Sequence, residues 1–326
     1  MASSTILWNP RLKLAFSDVD ETIAEVYTPA DSAMVRALSA YLTDGGKLFM
    51  VTGGSLKRVC GDITDFIAPG LRRNILVGHC SGAEVWGFTD DGELHESPFY
   101  SIYNERFTPE IKQKWRDVIT QLVQEFGLRI HPAQPKVEFW ETIGRHPLDI
   151  MLDDRGPQIT MEVVNGTHLT EQQLSELGFA VPLTNDAYDL RGAIKQRAEQ
   201  LLTEIGVPIT PRFGGNFALD FAIEGVSKTT AIQSVVADAT VLATIGLTPQ
   251  AIASPTQLEV WGDKFSVING GTDRHMSAAL SPKVRSIDFR QEEPSELPTD
   301  INLVVWDGEH HLHNGLLEYL QSRLNE

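Results

Sequence analysis

The chain has 326 residues, a length that predicts about two domains at roughly 150 residues each. A hydrophobic content of 42% and a charged content of 22% are ordinary for a globular protein with a buried core. The formal net charge of −17 disfavours binding to nucleic acid or to anionic lipid. The first residues show no leader pattern and no apolar run approaches the length of a membrane span, so we expect a cytoplasmic protein. The two cysteines, Cys60 and Cys80, are too few for a disulfide framework.

The first part of the chain alternates between strand and helix patterns. Short apolar runs at 12–17, 48–51 and 74–77 predict buried strands, and apolar residues at helical spacing between 34 and 42 predict a helix. Such alternation builds a parallel sheet through right-handed crossovers. We therefore predict that residues 1–96 form the first part of a doubly wound α/β core.

The middle of the chain has a different pattern, which predicts an inserted domain over 97–212. This block contains a long helical pattern at 109–126 and two further helical patterns at 170–177 and 187–205. Three apolar runs in the same block predict strands at 137–140, 148–152 and 159–164. We expect an α/β insertion with its own antiparallel sheet and helices on one face.

The core pattern is then expected to resume over 213–326. Apolar runs at 217–223, 258–261 and 302–306 predict strands, a helix is expected from about Ser227, and 316–324 predicts a closing helix. The core would therefore be discontinuous in sequence.

Asp18 and Asp20 follow the first predicted strand, at the edge of the sheet where ligands of α/β proteins bind. Two carboxylates about 4 Å apart repel each other by about 4 kcal/mol at an effective dielectric near 20, so a cation between them is favoured. Oxygen ligands of this kind suit Mg²⁺. An isolated pair of aspartates serves equally well as a turn or a helix cap.

Three more segments lie either at the carboxyl end of a predicted core strand or at the start of the helix that follows one, and the first two of them are Thr52–Gly54 and Lys228. Thr52, Gly53 and Gly54 end the second strand-like run, where backbone N–H groups can approach a phosphate. Lys228 lies at a predicted helix start, where a cation opposes the macrodipole unless it has an anionic partner. Each segment alone is also consistent with a turn or a solvated side chain.

The fourth segment is a glycine-rich loop after the strand at 258–261, and it supplies two more carboxylates, Asp263 and Asp273. The four segments, in this order, resemble the haloacid dehalogenase-like (HAD) superfamily of phosphotransferases. The place of the insertion, between Thr52 and Lys228, is similar to that of the superfamily's type II (C2B) cap. Ser81–Gly82–Ala83 also resembles the superfamily's Asn-Gly-Ala turn before that cap.

Within the superfamily, the local likeness is to the phosphomannomutases and related sugar-phosphate phosphatases. It rests on Gly53–Gly54–Ser55, on Gly214–Gly215–Asn216 and on the loop from Gly262 to Asp273. The chain departs from the usual pattern at Glu21, where a glycine is usual, and at Thr272, where an asparagine is usual. The loop from Asp263 to Asp273 is also about two residues longer than the resemblance leads us to expect.

The resemblance implies a phosphomonoester hydrolase that works through an aspartyl-phosphate. Asp18 would be the nucleophile, and the Asp20 side chain would be the general acid and base. The implied phosphate ligands are Thr52, Gly53, Gly54 and Lys228. The implied cofactor is Mg²⁺, held by Asp18, the Asp20 backbone carbonyl and Asp263, with direct or water-mediated support from Asp273.

The expected substrate is a small phosphorylated metabolite, and a sugar or sugar-like phosphate fits the resemblance best. The insertion would be a mobile cap that selects this substrate, with Arg129, Lys136, Arg145, Arg155 and Arg191 as basic candidates. A phosphohexomutase and a catalytically silent sugar-phosphate-binding protein are the alternatives. No nucleic-acid or membrane partner is expected, and assembly into a homo-oligomer is left open. A zinc site at His310, His311 and His313 is disfavoured because no fourth ligand lies nearby in sequence.

Overall fold

The computed structural model describes residues 5–214, 217–268 and 270–323. It divides into two compact units: a core unit, 1–101 with 226–326, and an insertion unit, 102–225. Gly215, Asn216 and Asn269, which belong to the motifs above, lie outside the described residues.

Strands and helices are numbered along the chain. The strands are β1 Leu14–Ser17, β2 Lys47–Val51, β3 Ile75–His79, β4 Glu84–Gly87, β5 Tyr100–Ser101, β6 Arg129–His131, β7 Asp149–Asp154, β8 Gln158–Glu162, β9 Leu183–Thr184, β10 Ala187–Tyr188, β11 Ile209–Gly214, β12 Ala218–Ile223, β13 Leu258–Gly262, β14 Arg285–Asp288 and β15 Asn302–Val305. The helices are α1 Ser32–Thr43, α2 Leu56–Asp62, α3 Pro69–Arg72, α4 Ile102–Arg106, α5 Pro109–Phe126, α6 Lys136–Thr142, α7 Glu171–Leu177, α8 Leu190–Ile205, α9 Lys228–Ala237, α10 Ala239–Thr244, α11 Arg274–Ala278 and α12 Leu312–Ser322. No helix among the described residues has the length and apolar character needed to span a bilayer.

The core unit contains an eight-stranded sheet in the order β15-β14-β13-β1-β2-β3-β4-β5. Pairing is parallel from β15 to β3, and β4 and β5 are added antiparallel at one edge. All four residues of β1 are buried, as expected for a parallel strand covered on both faces. The central strand β1 lies between β2 and β13, so the two parts of the core share one sheet. The predicted doubly wound α/β core is confirmed.

Apolar layers cover both faces of this sheet. One layer joins Trp8, Tyr41 and Tyr319 to Trp261 on β13. The other layer contains Phe16 and Phe49 together with apolar residues of α9 and α10. The rigid aromatic layer fixes the strands, so the loops at their carboxyl ends start from defined positions.

The insertion unit has a five-stranded sheet in the order β11-β12-β8-β7-β6. Its pairing is antiparallel except between β6 and β7. The long helix α5 is capped by Thr108 and ends at Gly127, which has a φ of 62°. Arg197 of α8 donates to Glu125 of α5 at 2.7 Å and links the two long helices. The predicted separate sheet in an α/β insertion is confirmed.

Two of the expected strands are placed differently by the structure. The segment at 137–140 is helical, within α6, and its apolar Phe139 packs against Met151 and Val164. The strand at 217–223 was expected to resume the core, but β12 pairs with β8 and β11 in the insertion sheet. The insertion unit accordingly runs over 102–225 rather than the expected 97–212. The start of 187–205 forms β10 before α8 begins, and β14 was not predicted.

Candidate active site

Asp18 and Asp263 lie side by side because they follow neighbouring parallel strands. β1 and β13 pair with Ser17 opposite Trp261, and the Asp18 N–H donates to the Trp261 carbonyl at 3.0 Å. Asp18 is 7% exposed and Asp263 is fully buried. Two carboxylates more than two hundred positions apart in sequence therefore reach one edge of the sheet.

The loop after β13 brings Asp273 to the same place. One Asp273 oxygen, Oδ2, accepts hydrogen bonds from the backbone N–H groups of Asp263 at 2.9 Å and Lys264 at 3.0 Å. A Cβ at Gly262 would lie 2.6 Å from that oxygen, so this close approach requires glycine. The loop closes on itself because the Asp273 N–H donates to the Lys264 carbonyl at 2.9 Å. The additional loop residues are therefore accommodated without loss of Asp273 from the cluster.

Lys228, the first residue of α9, connects two of these carboxylates. Its Nζ donates to Asp18 Oδ1 at 2.6 Å and to Asp273 Oδ1 at 2.8 Å, and its side chain is 5% exposed. Burial alone would lower the pKa of Lys228, but the adjacent Asp18 and Asp273 carboxylates raise it above its ordinary value. The anionic partner that a lysine at a helix start requires is thus present.

The three carboxylates form a crowded acidic cluster. Asp18, Asp263 and Asp273 each offer an oxygen, and these oxygens all lie within 4.8 Å of one another. Burial, reinforced by the other carboxylates and opposed by Lys228, raises the pKa of Asp18 to about 8. Burial and the Asp273 carboxylate likewise raise the pKa of Asp263 to about 6. A divalent cation would relieve this repulsion, and the oxygen-only donor set is the one that Mg²⁺ prefers.

An arginine that sequence reasoning missed also binds this cluster. Arg290, just beyond β14, donates from Nε to the Asp263 backbone carbonyl at 3.0 Å and to Asp263 Oδ2 at 3.1 Å. Asp288 accepts the backbone N–H of Arg290 at 2.9 Å and fixes the turn that presents the guanidinium. Thr22 Oγ1 lies 3.3 Å from the other Asp263 oxygen. β14 itself was not predicted, so Arg290 had no sequence signal.

The Asp20 side chain lies outside this cluster and forms an ion pair with Arg58 of α2. Arg58 also donates to Asp62 at 3.3 Å and lies over the Tyr27 ring, 4.6 Å from its centroid. A Cβ at Gly54 would lie at ordinary contact distance from Arg58 Nη1, 3.5 Å, so the guanidinium does not itself require a glycine there. Arg58 was also missed, since a single arginine one turn into a helix normally has a solvated side chain.

Thr52 is buried at the end of β2, and its segment is tightly bound to the backbone around it. The Thr52 hydroxyl accepts the Gly54 N–H at 3.0 Å. The Thr52 N–H donates to the Gly78 carbonyl at 2.9 Å, and the Ser55 hydroxyl caps α2 by accepting the Arg58 N–H at 3.2 Å. Thr52, Gly53 and Gly54 therefore form a turn that is fixed by its backbone contacts.

Glu21 adopts a φ of 66°, in the left-handed region. This conformation gives a physical reason for the glycine that the resemblance leads us to expect there. The Glu21 N–H donates to the Ala24 carbonyl at 2.7 Å, which closes the loop after Asp20 in spite of the side chain. Glu21 therefore occupies a left-handed conformation within a closed loop.

The remaining sequence candidates lie elsewhere. His310 faces Glu318 at 3.5 Å, and no histidine of the 310–313 tract joins a metal-ligand cluster among the described residues. The basic candidates of the insertion have partners within that unit. Arg129, Arg155 and Arg191 form ion pairs with Asp149, Asp153 and Asp189, and Lys136 and Arg145 lie over Trp140.

The sheet order, the insertion between Thr52 and Lys228 and the four segments at one edge of the sheet define a haloacid dehalogenase-like fold with an inserted α/β unit. A solved structure of a trehalose-6-phosphate phosphatase related protein is similar to it, with a TM-score of 0.53 and 14% identity. The match covers 96% of this chain and 98% of that protein.

Two further structures have lower TM-scores. A HAD superfamily phosphatase from Bacteroides thetaiotaomicron has a TM-score of 0.49 and 17% identity, with 98% of this chain and 100% of that chain covered. A Plasmodium falciparum IMP-nucleotidase has a TM-score of 0.46 and 13% identity, and the match covers 97% of this chain and 68% of that chain. No protein-family model and no curated protein matches this chain in sequence. The similarity to the trehalose-6-phosphate phosphatase related protein therefore concerns the fold alone.

Proposed function

We propose that the protein is a Mg²⁺-dependent phosphatase that hydrolyses a small sugar or sugar-like phosphomonoester. The observation that carries the proposal is the buried Lys228, which bridges Asp18 and Asp273 beside Asp263. A buried cluster of three carboxylates is costly for the fold, and perturbed ionisation in such a cluster is typical of a functional site.

In the first step, an Asp18 carboxylate oxygen attacks the phosphorus atom of the ester. The bond from phosphorus to the ester oxygen breaks, and the Asp20 carboxyl group donates a proton to the departing alkoxide. Lys228, the Thr52 hydroxyl and the Gly53 N–H bind the phosphoryl oxygens during the transfer.

In the second step, Asp20 takes a proton from a water molecule, and the water oxygen attacks the phosphorus atom of the aspartyl-phosphate. The bond between the Asp18 oxygen and phosphorus breaks, which releases inorganic phosphate and restores the Asp18 carboxylate. The ion pair with Arg58 holds the Asp20 side chain away from the acidic cluster. The Asp20 side chain is therefore separate from the proposed metal ligands, and its carboxylate is the group that accepts the proton of the attacking water.

The residues that would hold Mg²⁺ are Asp18, Asp263 and the Asp20 backbone carbonyl, supported by Asp273. When bound, the cation supplies positive charge that favours the ionised nucleophile and neutralises the transferring phosphoryl group. Asp273 already accepts hydrogen bonds on both oxygens, from Lys228 on one and from the backbone of Asp263 and Lys264 on the other. Its proposed part is therefore mainly to orient Lys228 and the Asp263 loop.

The contacts within the insertion favour hydrolysis over a mutase reaction. A mutase must hold a second phosphate, whereas Arg155 and Arg191 are committed to Asp153 and Asp189. The intact site residues of the core argue against a catalytically silent binding protein.

The experiment is a phosphate-release screen over a panel of sugar phosphates and other phosphomonoesters, with Mg²⁺ and with a chelator. We expect Mg²⁺-dependent release that is highest for sugar phosphates, and none from the matched Asp18→Asn protein. Release from no substrate would contradict the proposal. Isomerisation of a hexose phosphate without release to water would replace it by the mutase alternative.

A further inference from the structure

The turn that joins β3 to β4 holds the Thr52–Gly54 segment through the backbone. The Cys80 N–H donates to the Gly54 carbonyl at 3.0 Å, and the Ser81 N–H donates to the Thr52 carbonyl at 2.7 Å. Together with the bond from the Thr52 N–H to Gly78, these contacts fix both ends of the segment. The position of the segment therefore depends on the shape of the turn at 80–83.

The same turn packs against the helix that carries Lys228. Gly82 has a φ of 88°, and a Cβ at this position would lie 2.4 Å from Ala231 Cβ and 3.4 Å from the Ser227 carbonyl oxygen. Ser227 immediately precedes Lys228, and Ala231 is one turn further along α9. The turn thus contacts both elements to which phosphate binding is assigned.

The backbone of the turn is strained. Cys80 and Ser81 have φ values of 52° and 59°, so two non-glycine residues in succession lie in the left-handed region. This conformation is unfavourable for residues that carry a Cβ. A conformation of this kind persists only where surrounding contacts hold it.

A buried side-chain pair closes the hairpin at this turn. His79 of β3 stands opposite Glu84 of β4, and His79 Nε2 lies 3.1 Å from Glu84 Oε2. Ser101 of β5 donates to Glu84 Oε1 at 2.6 Å, and His79 and Glu84 are 3% and 6% exposed. Burial alone would raise the pKa of Glu84, but the hydrogen bonds from His79 and Ser101 lower it below its ordinary value.

We propose that the His79–Glu84 pair is a positioning pair for phosphate binding. It fixes the turn at 80–83, and the turn sets the distance between the Thr52–Gly54 segment and Lys228. Neither residue needs to touch the substrate. The proposal rests on the proposed function for the identity of the bound anion.

The test measures the affinity of the full chain for inorganic phosphate by calorimetry, together with the KM for a hydrolysed ester. For His79→Phe we expect phosphate affinity to fall about tenfold or more, since small misplacement of binding groups is costly, and KM to rise in parallel. The Mg²⁺ concentration for half-maximal activity should stay unchanged. Tyr319→Phe is the matched control, because it removes a buried hydrogen bond to Glu259 of the same sheet without touching the turn.

A second pair of variants decides the question if His79→Phe fails to fold. Gly82→Ala would press against Ala231 and strain a residue whose φ is 88°, so it should weaken phosphate binding, and Ala231→Gly in addition should recover only the part of the affinity that the contact costs. Wild-type affinity in folded His79→Phe or Gly82→Ala would overturn the proposal, as would a wild-type chain that binds no phosphate. Variant-dependent phosphate binding in a chain that hydrolyses no ester would support the positioning pair and contradict only the phosphatase assignment.

Discussion

The two ends of β13 hold buried carboxylates in opposite electrostatic situations. Glu259, near the start of the strand, accepts hydrogen bonds from Arg285 at 3.0 Å, Tyr319 at 3.0 Å and Trp261 at 2.9 Å. Asp263, just beyond the other end, shares its surroundings with two more carboxylates. Both residues are fully buried in one sheet.

The comparison distinguishes a buried carboxylate whose charge is neutralised within the fold, Glu259, from one that lies among other carboxylates, Asp263. Glu259 has one guanidinium and several neutral donors, so its charge is balanced within the fold. At the Asp263 end, Lys228 and Arg290 face three carboxylates, and the balance requires a further cation. A buried carboxylate alone therefore does not indicate a site, whereas an uncompensated group of them does.

The largest expected effect is on turnover at the crowded end. Asp18→Asn should lower kcat by at least about 10³-fold, because loss of a nucleophile removes the covalent route. Glu259→Gln should instead lower the free energy of unfolding by about 1–3 kcal/mol and leave turnover per folded molecule unchanged. For both variants, kcat is measured by assays of phosphate release and the free energy of unfolding is measured by urea titration. Substantial Mg²⁺-dependent turnover in pure Asp18→Asn protein would rule out this nucleophile.

The next-largest effects are expected at Asp263 and Lys228, and they distinguish Mg²⁺ binding from phosphate binding. Asp263→Asn should raise the Mg²⁺ concentration for half-maximal activity by at least the roughly 10–100-fold that loss of an outer-shell partner costs. Lys228→Ala should mainly weaken binding of inorganic phosphate, because it removes a cation that faces the phosphoryl group. Titration of each variant with Mg²⁺ and with phosphate measures both quantities. An unchanged Mg²⁺ dependence in Asp263→Asn would contradict its place as a ligand.

A smaller effect is expected at Arg58, because it acts through Asp20. Arg58→Met should lower kcat for an alkyl phosphate about tenfold, part of the 10²–10⁴-fold that general acid catalysis contributes. The kcat for an aryl phosphate with a good leaving group should change little, since that leaving group needs no proton. The ratio of the two kcat values is the measurement, with exposed Arg36→Met as the matched control. Equal losses on both substrates would show that Arg58 does not act through proton transfer.

The smallest effect concerns stability without metal. Burial and the neighbouring carboxylates raise the pKa of Asp18 from 3.8 to about 8, so the folded chain binds this proton more tightly than the unfolded chain. The corresponding stability is fully present below the ordinary pKa and is lost as the pH rises through 8. Between pH 5 and 8 in chelator, the free energy of unfolding should therefore fall.

Urea unfolding across this pH range gives the measurement. In Asp18→Asn, the fall in the free energy of unfolding between pH 5 and 8 should be smaller than in the wild type by more than about 1.4 kcal/mol, the equivalent of one pKa unit. Asp90→Asn is the control, since that side chain is 89% exposed. A decline of the same steepness in Asp18→Asn would show that another group is responsible.

The sequence was most informative where residues follow a buried strand. Asp18, Thr52 and Asp263 were placed correctly at one edge of the sheet because the apolar runs before them are short, fully buried and followed by turn residues. Lys228 was expected at a helix start, where a cation requires an anionic partner, and the structure places it against Asp18 and Asp273.

Sequence reasoning was less informative where the deciding contacts are distant in the chain. The run at 137–140 is apolar enough for a strand, but burial of Phe139 against Met151 and Val164 favours a helix. The pattern of β12 shows a strand and gives no information about which sheet it joins. Arg58 and Arg290 were missed because their partners, Asp20 and Asp263, become their neighbours only through the fold.

The position of β1 between β2 and β13 has a consequence for how the chain folds. During synthesis, β1 emerges with one edge unpaired, and β13 follows only after the whole insertion. At about 5–20 residues per second, this interval is on the order of 10–50 s. A buried, apolar strand with an open edge is a template for pairing with other chains. A core whose strands are discontinuous in sequence is therefore exposed to aggregation for longer during synthesis than a core whose strands emerge in succession.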